Sequence, residues 1–255
     1  MRFASLGSGS KGNATLVETK NTCLMIDCGF SVKDVTRRLE CLGKTPQDLH
    51  AILVTHEHSD HWKGVIPLAK RFAIDVFITP GCLRAVGLDA SSYSGIKVIQ
   101  SDRCFDIGDI RVQPATVPHD AREPVQFLFF DDKLKLGILT DLGTVPPYIR
   151  NLYSDCDGLI VEANHDIDLL AKGDYPSFLK DRVAGPWGHL NNDQTASLVA
   201  DLDQERVQHI VIAHISQANN DLDRVKNSIE SVYSGTGNIY YATQDEGFDW
   251  LEIST

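Results

Sequence analysis

Apolar positions along this chain fall into two patterns, short runs bounded by polar residues and longer segments with helical spacing. The short runs predict strands at Arg2 to Leu6, Ala14 to Glu18, Thr22 to Asp27 and Ala51 to Thr55. Between the last two, Val32, Val35, Leu39 and Leu42 share one helical face from Ser31 to Leu42, with Ser31 placed to cap it. Gly64 to Phe72 reads as helix, and Ile74 to Ile78 as a strand that stops before Pro80-Gly81. From Lys97 to Leu142 the pattern is mostly strand, turning at Ile107-Gly108-Asp109 and at Phe130 to Lys133. Pro146 to Tyr153 predicts a helix begun by proline, and Gly158 to Glu162 a buried strand. Asn192 to Leu202 is helical with Ala196, Leu198, Val199 and Leu202 as its apolar face. Val207 to His214 is strand, Asp221 to Val232 helix, and Ile239 to Thr243 and Phe248 to Ile253 are the last strands. Strand runs in two groups, with helices distributed among them, predict an α/β chain of two central sheets covered by helices. No linker or repeat interrupts the pattern, so a single domain over residues 1–255 is expected.

Composition narrows the classes. With 42% hydrophobic and 23% charged residues, the chain can bury a substantial core. No apolar run approaches the ~20 residues that span a bilayer, and the first ten residues lack the apolar stretch of a signal peptide, so a cytoplasmic protein without a membrane partner is expected. Six cysteines show no Cys-x-x-Cys pair, which favours buried free thiols over disulfides or a zinc cluster. A net charge of −11 argues against a broad basic surface for nucleic acid. Oligomeric state is not legible.

The concentrated chemistry is His56-Glu57-His58-Ser59-Asp60-His61, directly after the strand Ala51 to Thr55. Neutral imidazole and carboxylate suit zinc, and also iron or manganese. His56 and His58, two apart in extended chain, can point to one metal, while Asp60 and His61 turn past it towards a second.

This hexad resembles the signature of the metallo-β-lactamase fold superfamily, whose members are mostly binuclear metal hydrolases. The resemblance implies a four-layer αββα sandwich with the metal site along one sheet edge. It also implies three further ligands at strand ends, a histidine, a bridging aspartate and a last histidine. His119 follows Ile110 to Val117, Asp141 follows Leu136 to Thr140, and His214 follows Val207 to Ala213. On that pattern His56, His58 and His119 hold one divalent ion and Asp60, His61 and His214 the other, with Asp141 bridging. Two ions per chain are expected, as zinc, manganese or iron.

Three more features narrow the family. Glu162 ends a strand in Val161-Glu162-Ala163-Asn164-His165-Asp166; His189 precedes a helix in Gly188-His189-Leu190-Asn191-Asn192; and Ser8 to Ala14 forms a glycine-bearing loop. The Glu, the Gly-His, and a strand ending in His-Ile-Ser 25 residues later resemble the nuclease and phosphodiesterase branch, which includes tRNA 3′-processing enzymes. With Ala242-Thr243-Gln244-Asp245 near the end, the whole resembles the bacterial YycJ/WalJ family from about residue 1 to about residue 252. That resemblance implies a cytoplasmic, metal-dependent 5′→3′ DNA exonuclease linked to mismatch repair, with DNA as substrate and repair proteins as partners. Asp60, His189 and Glu162 are its expected catalytic residues. His189, oriented by Glu162, would donate to the developing oxyanion or protonate the leaving oxygen. Asn191 and Lys11 stand where serine is expected in the family pattern, both near the implied phosphate path.

Other readings remain open at this level. A small-molecule phosphodiesterase would use the same residues and suits the acidic charge. A thioester or lactone hydrolase would use the metals with less need of His189 and Glu162. Gly9 and Gly12 either make a turn or approach a phosphate. His165 reads as structural or as support for a ligand. His50 and His209 read as incidental, and Trp62, Trp187 and Trp250 as packing residues, although Trp187 beside His189 leaves room for stacking.

Overall fold

A computed structural model describes residues 1–255. Its elements run β1 (Arg2–Gly7), β2 (Ala14–Glu18), β3 (Cys23–Ile26), α1 (Val32–Cys41), β4 (Ala51–Leu53), α2 (Ser59–Trp62), α3 (Val65–Phe72), β5 (Asp75–Ile78), α4 (Pro80–Ala85) and β6 (Ile96–Val98). There follow β7 (Phe105–Ile107), β8 (Ile110–Thr116), β9 (Val125–Asp131), β10 (Leu134–Leu139), α5 (Pro147–Tyr153), β11 (Gly158–Glu162), α6 (Ile167–Lys172) and α7 (Ser177–Ala184). The chain ends with α8 (Asn192–Ala200), β12 (His209–Ala213), α9 (Leu222–Glu230), β13 (Asn238–Tyr241) and β14 (Phe248–Glu252). The strands form two seven-stranded sheets, ordered β14-β1-β2-β3-β4-β5-β6 and β13-β12-β11-β10-β9-β8-β7. This is the mixed α/β arrangement expected from the two groups of strand runs.

Contacts cluster into two compact units. The first comprises residues 1–116, 121–134 and 243–255, and the second residues 117–120 and 135–242. In the first unit β1, β2, β3 and β14 pair antiparallel, whereas β3 to β6 run parallel. Parallel neighbours need crossovers, and α1, α2 with α3, and α4 supply them in turn. Helix α1 forms because its apolar spacing closes one face: Val35 and Leu39 are buried, with Val32 and Leu42 packed beside them. Ser31 caps it as expected, its hydroxyl accepting from the Asp34 amide at 3.2 Å. The core beneath includes Leu16, Met25, Leu39, Ile52, Leu68 and Ile78.

In the second unit β10, β11, β12 and β13 are all parallel. Both faces of such a ribbon are buried, so β10 and β11 are buried at every position and show apolar runs, Leu136 to Leu139 and Gly158 to Val161, rather than alternation. Tyr153, at the end of α5, lies fully buried against the backbone of Gly137 and donates to the Ile138 carbonyl at 3.1 Å.

Helices α4, α6 and α7 were not legible as periodic segments. Each has six to eight residues, and α7 buries none of them. Thr79-Pro80 looks like a strand terminator, but Thr79 accepts from the Cys82 amide as an N-cap and Pro80 sits in the first turn.

Candidate metal centre

Parallel strands bring their carboxyl ends to one edge, and that is where the polar side chains collect in both units. In the first unit Ile26 of β3 pairs with Leu53 of β4, so the residues just beyond them are neighbours. Asp27 is buried there at φ 59°, a left-handed conformation that costs a non-glycine residue roughly 1–2 kcal/mol. Its carboxylate accepts from the Thr55 amide at 2.8 Å, the Thr55 hydroxyl at 2.7 Å and His61 Nδ1 at 2.8 Å.

Those bonds fix the proton positions on the imidazoles. His61 donates from Nδ1, so its Nε2 carries a lone pair, which takes the Asn13 side-chain amide at 3.1 Å. The Thr55 hydroxyl gives its proton to Asp27 and therefore accepts from His56 Nδ1 at 2.9 Å, which leaves the lone pair of that imidazole on Nε2, the atom that would ligate a metal. That Nε2 lies 3.1 Å from His58 Nδ1. Asp60 Oδ2 is 3.5 Å from His61 Nε2. Burial raises the pKa of Asp27, the hydrogen bonds from His61 and Thr55 only partly opposing it.

The segment fits because two glycines let chain pass chain. A Cβ on Gly29 would lie 1.8 Å from the Asp60 carbonyl, and one on Gly64 would lie 2.0 Å from that of Phe30. The loop from Gly7 to Asn13 turns back on itself. The amides of Gly7, Ser8, Gly9, Lys11 and Gly12 donate to Ser5, Thr243, Asn13, Gln244 and Gly9 respectively. Amides engaged inside the protein do not cradle a phosphate, so the glycines serve the turn. Asn13 in turn holds the loop to the Asp60 carbonyl through its own amide at 2.8 Å.

In the second unit the register does the assembling. Val161 of β11 pairs with Ile212 of β12 and Leu139 of β10, and Glu162 with Ala213. Asp141, Glu162 and His214 therefore emerge side by side just past these pairs. Their ligand atoms and that of His189 all lie within 4.8 Å of one another. His189 Nδ1 donates to Glu162 Oε2 at 3.1 Å, and His214 Nδ1 sits 3.2 Å from Asp141 Oδ1 and 3.4 Å from Glu162 Oε2. His119 donates from Nδ1 to the Gly188 carbonyl at 3.1 Å, its ring 5.3 Å from that of His189. Like Asp27, Asp141 and His214 take left-handed φ, at 57° and 51°.

Glu162 does more than orient His189. Fully buried, it also accepts from the amides of Asp141 (3.0 Å), Leu142 (3.1 Å) and Leu190 (2.8 Å). Burial alone would raise its pKa, but the charge of His189 and the bonds from His189 and His214 outweigh that and hold it well below the usual carboxylate range. Burial would likewise lower His214, yet Asp141 and Glu162 raise it to about 10. The donor set thus stabilises a positive charge, here a proton on His214, in the place where carboxylate and imidazole can accept a metal ion. Chemically, both groups fit divalent ions, and each imidazole with an assigned proton has an outer partner that fixes its orientation.

The family comparison settles the lineage. The Beta-lactamase superfamily domain model matches residues 22–215. Exodeoxyribonuclease WalJ of Streptococcus pneumoniae serotype 2 is 34% identical over 225 residues, covering 86% of this chain and 83% of that one. Exodeoxyribonuclease YycJ of Bacillus anthracis is 32% identical over 241 residues, covering 93% and 90%. The chain belongs to the WalJ/YycJ family of the β-lactamase superfamily. Its fold is correspondingly that of YhfI from Bacillus subtilis, a metallo-beta-lactamase fold protein, with a TM-score of 0.74 at 15% identity over 98% of this chain and 99% of that one.

Against the family pattern, the two departures are conservative in effect. Asn191 makes the same cap a serine would: its side chain accepts from the Gln194 amide and the Gln194 side chain accepts from its own, both at 2.9 Å. Lys11 contributes its main chain to the loop, donating to Gln244 Oε1 at 2.7 Å. What the sequence concealed in this WalJ/YycJ-family chain is Asp27 and Asn13, the two residues that brace His61. The available signal for Asp27 was a carboxylate closing a strand of four apolar residues. His165 is buried, pushed down to a pKa of about 4 mainly by burial, and its carbonyl accepts from Asn192. His50 has a structural task, accepting from the Cys23 amide at 3.1 Å.

Proposed function

We propose that the chain is a binuclear metal-dependent phosphodiester hydrolase that digests DNA from the 5′ end. The support is the family, whose named relatives are exodeoxyribonucleases, together with the two donor groups. One ion is assigned to His56, His58 and His119 and the other to Asp60, His61 and His214, with Asp141 shared. When bound, two such ions lower the pKa of a shared water and neutralise the phosphate oxygens as charge builds at phosphorus. Zinc, manganese and iron all suit these ligands.

The observation that carries the phosphodiester reading is the His189–Glu162 pair at 3.1 Å, set beside Asp141 and His214. With Nδ1 committed to Glu162, His189 has Nε2 as its second ring nitrogen to offer a substrate. Oriented in this way, His189 can donate from Nε2 to a phosphate oxygen or return a proton to the leaving oxygen. Ester or lactone cleavage has less use for such a donor. The acid surface, net −11, keeps a small phosphodiester substrate as a second reading. The same reading places its action on DNA in the cytoplasm, with repair proteins as partners; no helix is long and apolar enough to cross a membrane.

The test is a side-by-side assay of metal-reconstituted protein on 5′- and 3′-end-labelled duplex DNA, a cyclic nucleotide and a lactone, with elemental analysis of the same sample. Preferential release of 5′-terminal nucleotides and close to two ions per chain are expected. Lactone cleavage without phosphodiesterase activity would sink the proposal, and at most one ion after reconstitution would sink the binuclear assignment.

A further inference from the structure

Trp187 is 59% exposed, unusual for the side chain that normally contributes most to a core. Its backbone, by contrast, is held on every side. The Trp187 carbonyl accepts from the Asp120 amide at 3.0 Å, and the Asp120 carboxylate pairs with Arg182. The next carbonyl, that of Gly188, accepts from His119, while the His189 amide donates to Val183 at 2.9 Å. Packing leaves no slack: a Cβ on Gly143 would fall 2.4 Å from both the Gly185 carbonyl oxygen and the Pro186 carbonyl carbon, and one on Gly188 would fall 2.2 Å from the Arg182 carbonyl. Segments carrying His119, Asp141 and His189 therefore clamp the peptide that displays an indole to solvent.

We infer that Trp187 is a base-stacking platform for the DNA strand being digested. The inference rests on the nuclease reading above and deepens it. Two residues of chain place the Trp187 Cα within about 7 Å of the His189 Cα, so a base next to the phosphate facing His189 is in reach. Charge favours a base over any other occupant. A net charge of −11 offers no broad electrostatic hold on a polyanion, whereas stacking on a π-face needs no positive surface and tolerates any sequence. Exposure combined with a rigid main chain also keeps the ordering cost of binding low.

The experiment compares kcat/KM for a single-stranded oligothymidylate with that for bis(4-nitrophenyl) phosphate, which has no base to stack. In Trp187→Ala the DNA-to-small-substrate ratio should fall about tenfold, within the span for loss of one base–aromatic stack. Trp187→Tyr should restore most of it. Phe178→Ala, which removes another exposed aromatic on α7, serves as the control and should not lower the ratio. Independently of turnover, oligothymidylate should quench tryptophan fluorescence in chelator-treated protein, and Trp187→Tyr should abolish that quench while still binding. An unchanged ratio in Trp187→Ala, an equal fall in Phe178→Ala, or a quench that persists in Trp187→Tyr would each overturn the proposal. Wild-type protein that cleaves bis(4-nitrophenyl) phosphate but no DNA would instead overturn the nuclease reading beneath it.

Discussion

The two units build their ligand groups in opposite ways. In the first, four donors come from one hexad after β4, and a single carboxylate, Asp27, sets the proton positions for two of the imidazoles. In the second, Asp141, Glu162 and His214 come from three strands, and only the pairing register of β10, β11 and β12 makes them neighbours. The first group is local; the second depends on long-range pairing and concentrates charge, with Glu162 held ionised and His214 raised to about 10. A donor set made from contiguous residues survives small changes in the sheet, whereas one made by register does not.

The sharpest way to break this contrast is Asp141→Asn. Removing one charge between two proposed cations should cost more than the ~10²–10³-fold lost with a single electrostatic donor, and should weaken both metal sites together. Turnover and metal content measured on the same sample check this, and near-normal turnover would eliminate the bridging role.

Next come His189 and Glu162. His189→Ala should keep its metals and lose roughly 10²–10⁴-fold in turnover, the range for a positioned proton donor. If Glu162 only oriented that ring, Glu162→Gln would be milder and the double variant barely worse than His189→Ala. The three main-chain amides on its carboxylate change that expectation. Glu162→Gln turns one acceptor oxygen into a donor facing those amides, so it should also lower thermal stability by about 1–3 kcal/mol. A Glu162→Gln protein as stable as wild type would mean those amides find other partners.

A smaller effect belongs to the first unit. Asp27→Asn leaves the hexad intact but weakens the acceptor for His61 Nδ1, so metal affinity should fall about 10–100-fold and be recovered by excess metal. Competition with a chelator reads this directly, and loss that excess metal cannot rescue would assign Asp27 to the fold instead.

The mildest test uses pH. Burial raises the thiols of Cys23, Cys28, Cys82 and Cys156 from 9.0 to about 12. The folded chain keeps thiol protons that the unfolded chain gives up, so the thiols' contribution to stability should be flat below pH 9 and decline as pH rises towards 12, while that of His214 declines earlier, between 6.5 and about 10. Three of the four lie in the first unit, so above pH 9 hydrogen exchange should report a steeper loss of protection there than the single thiol Cys156 produces in the second. Cys41 and Cys104, both exposed, should be the thiols that react with a thiol reagent at neutral pH.

Legibility followed the same division. The hexad is visible because its ligands are consecutive, and α1 because Val35 and Leu39 repeat on one face. His119, Asp141 and His214 could be nominated only from a family resemblance, since a polar residue after a strand says nothing about which strand lies beside it. Asp27 escaped notice because its importance lies in hydrogen bonds to Thr55 and His61, distant in sequence. The short helices α4 and α6, at six residues each, are too short to show a helical period, and α7 was invisible for want of a buried face. Asn191, which looked like a departure, turned out to keep the cap that serine would make.

Asp27, Asp141 and His214 share one further property, a backbone in the left-handed region at the end of a parallel strand. Sequence drift at these positions is therefore filtered twice, once for ligand chemistry and once for chain geometry, and the filters pass different residues. Valine or isoleucine fails both; alanine loses the chemistry and strains the turn; asparagine loses the charge yet tolerates the geometry. An inactive form made with asparagine should keep its substrate surface, including the indole of Trp187, in the active arrangement. That makes it suited to trapping bound DNA, where an alanine variant would blur lost catalysis with a relaxed loop.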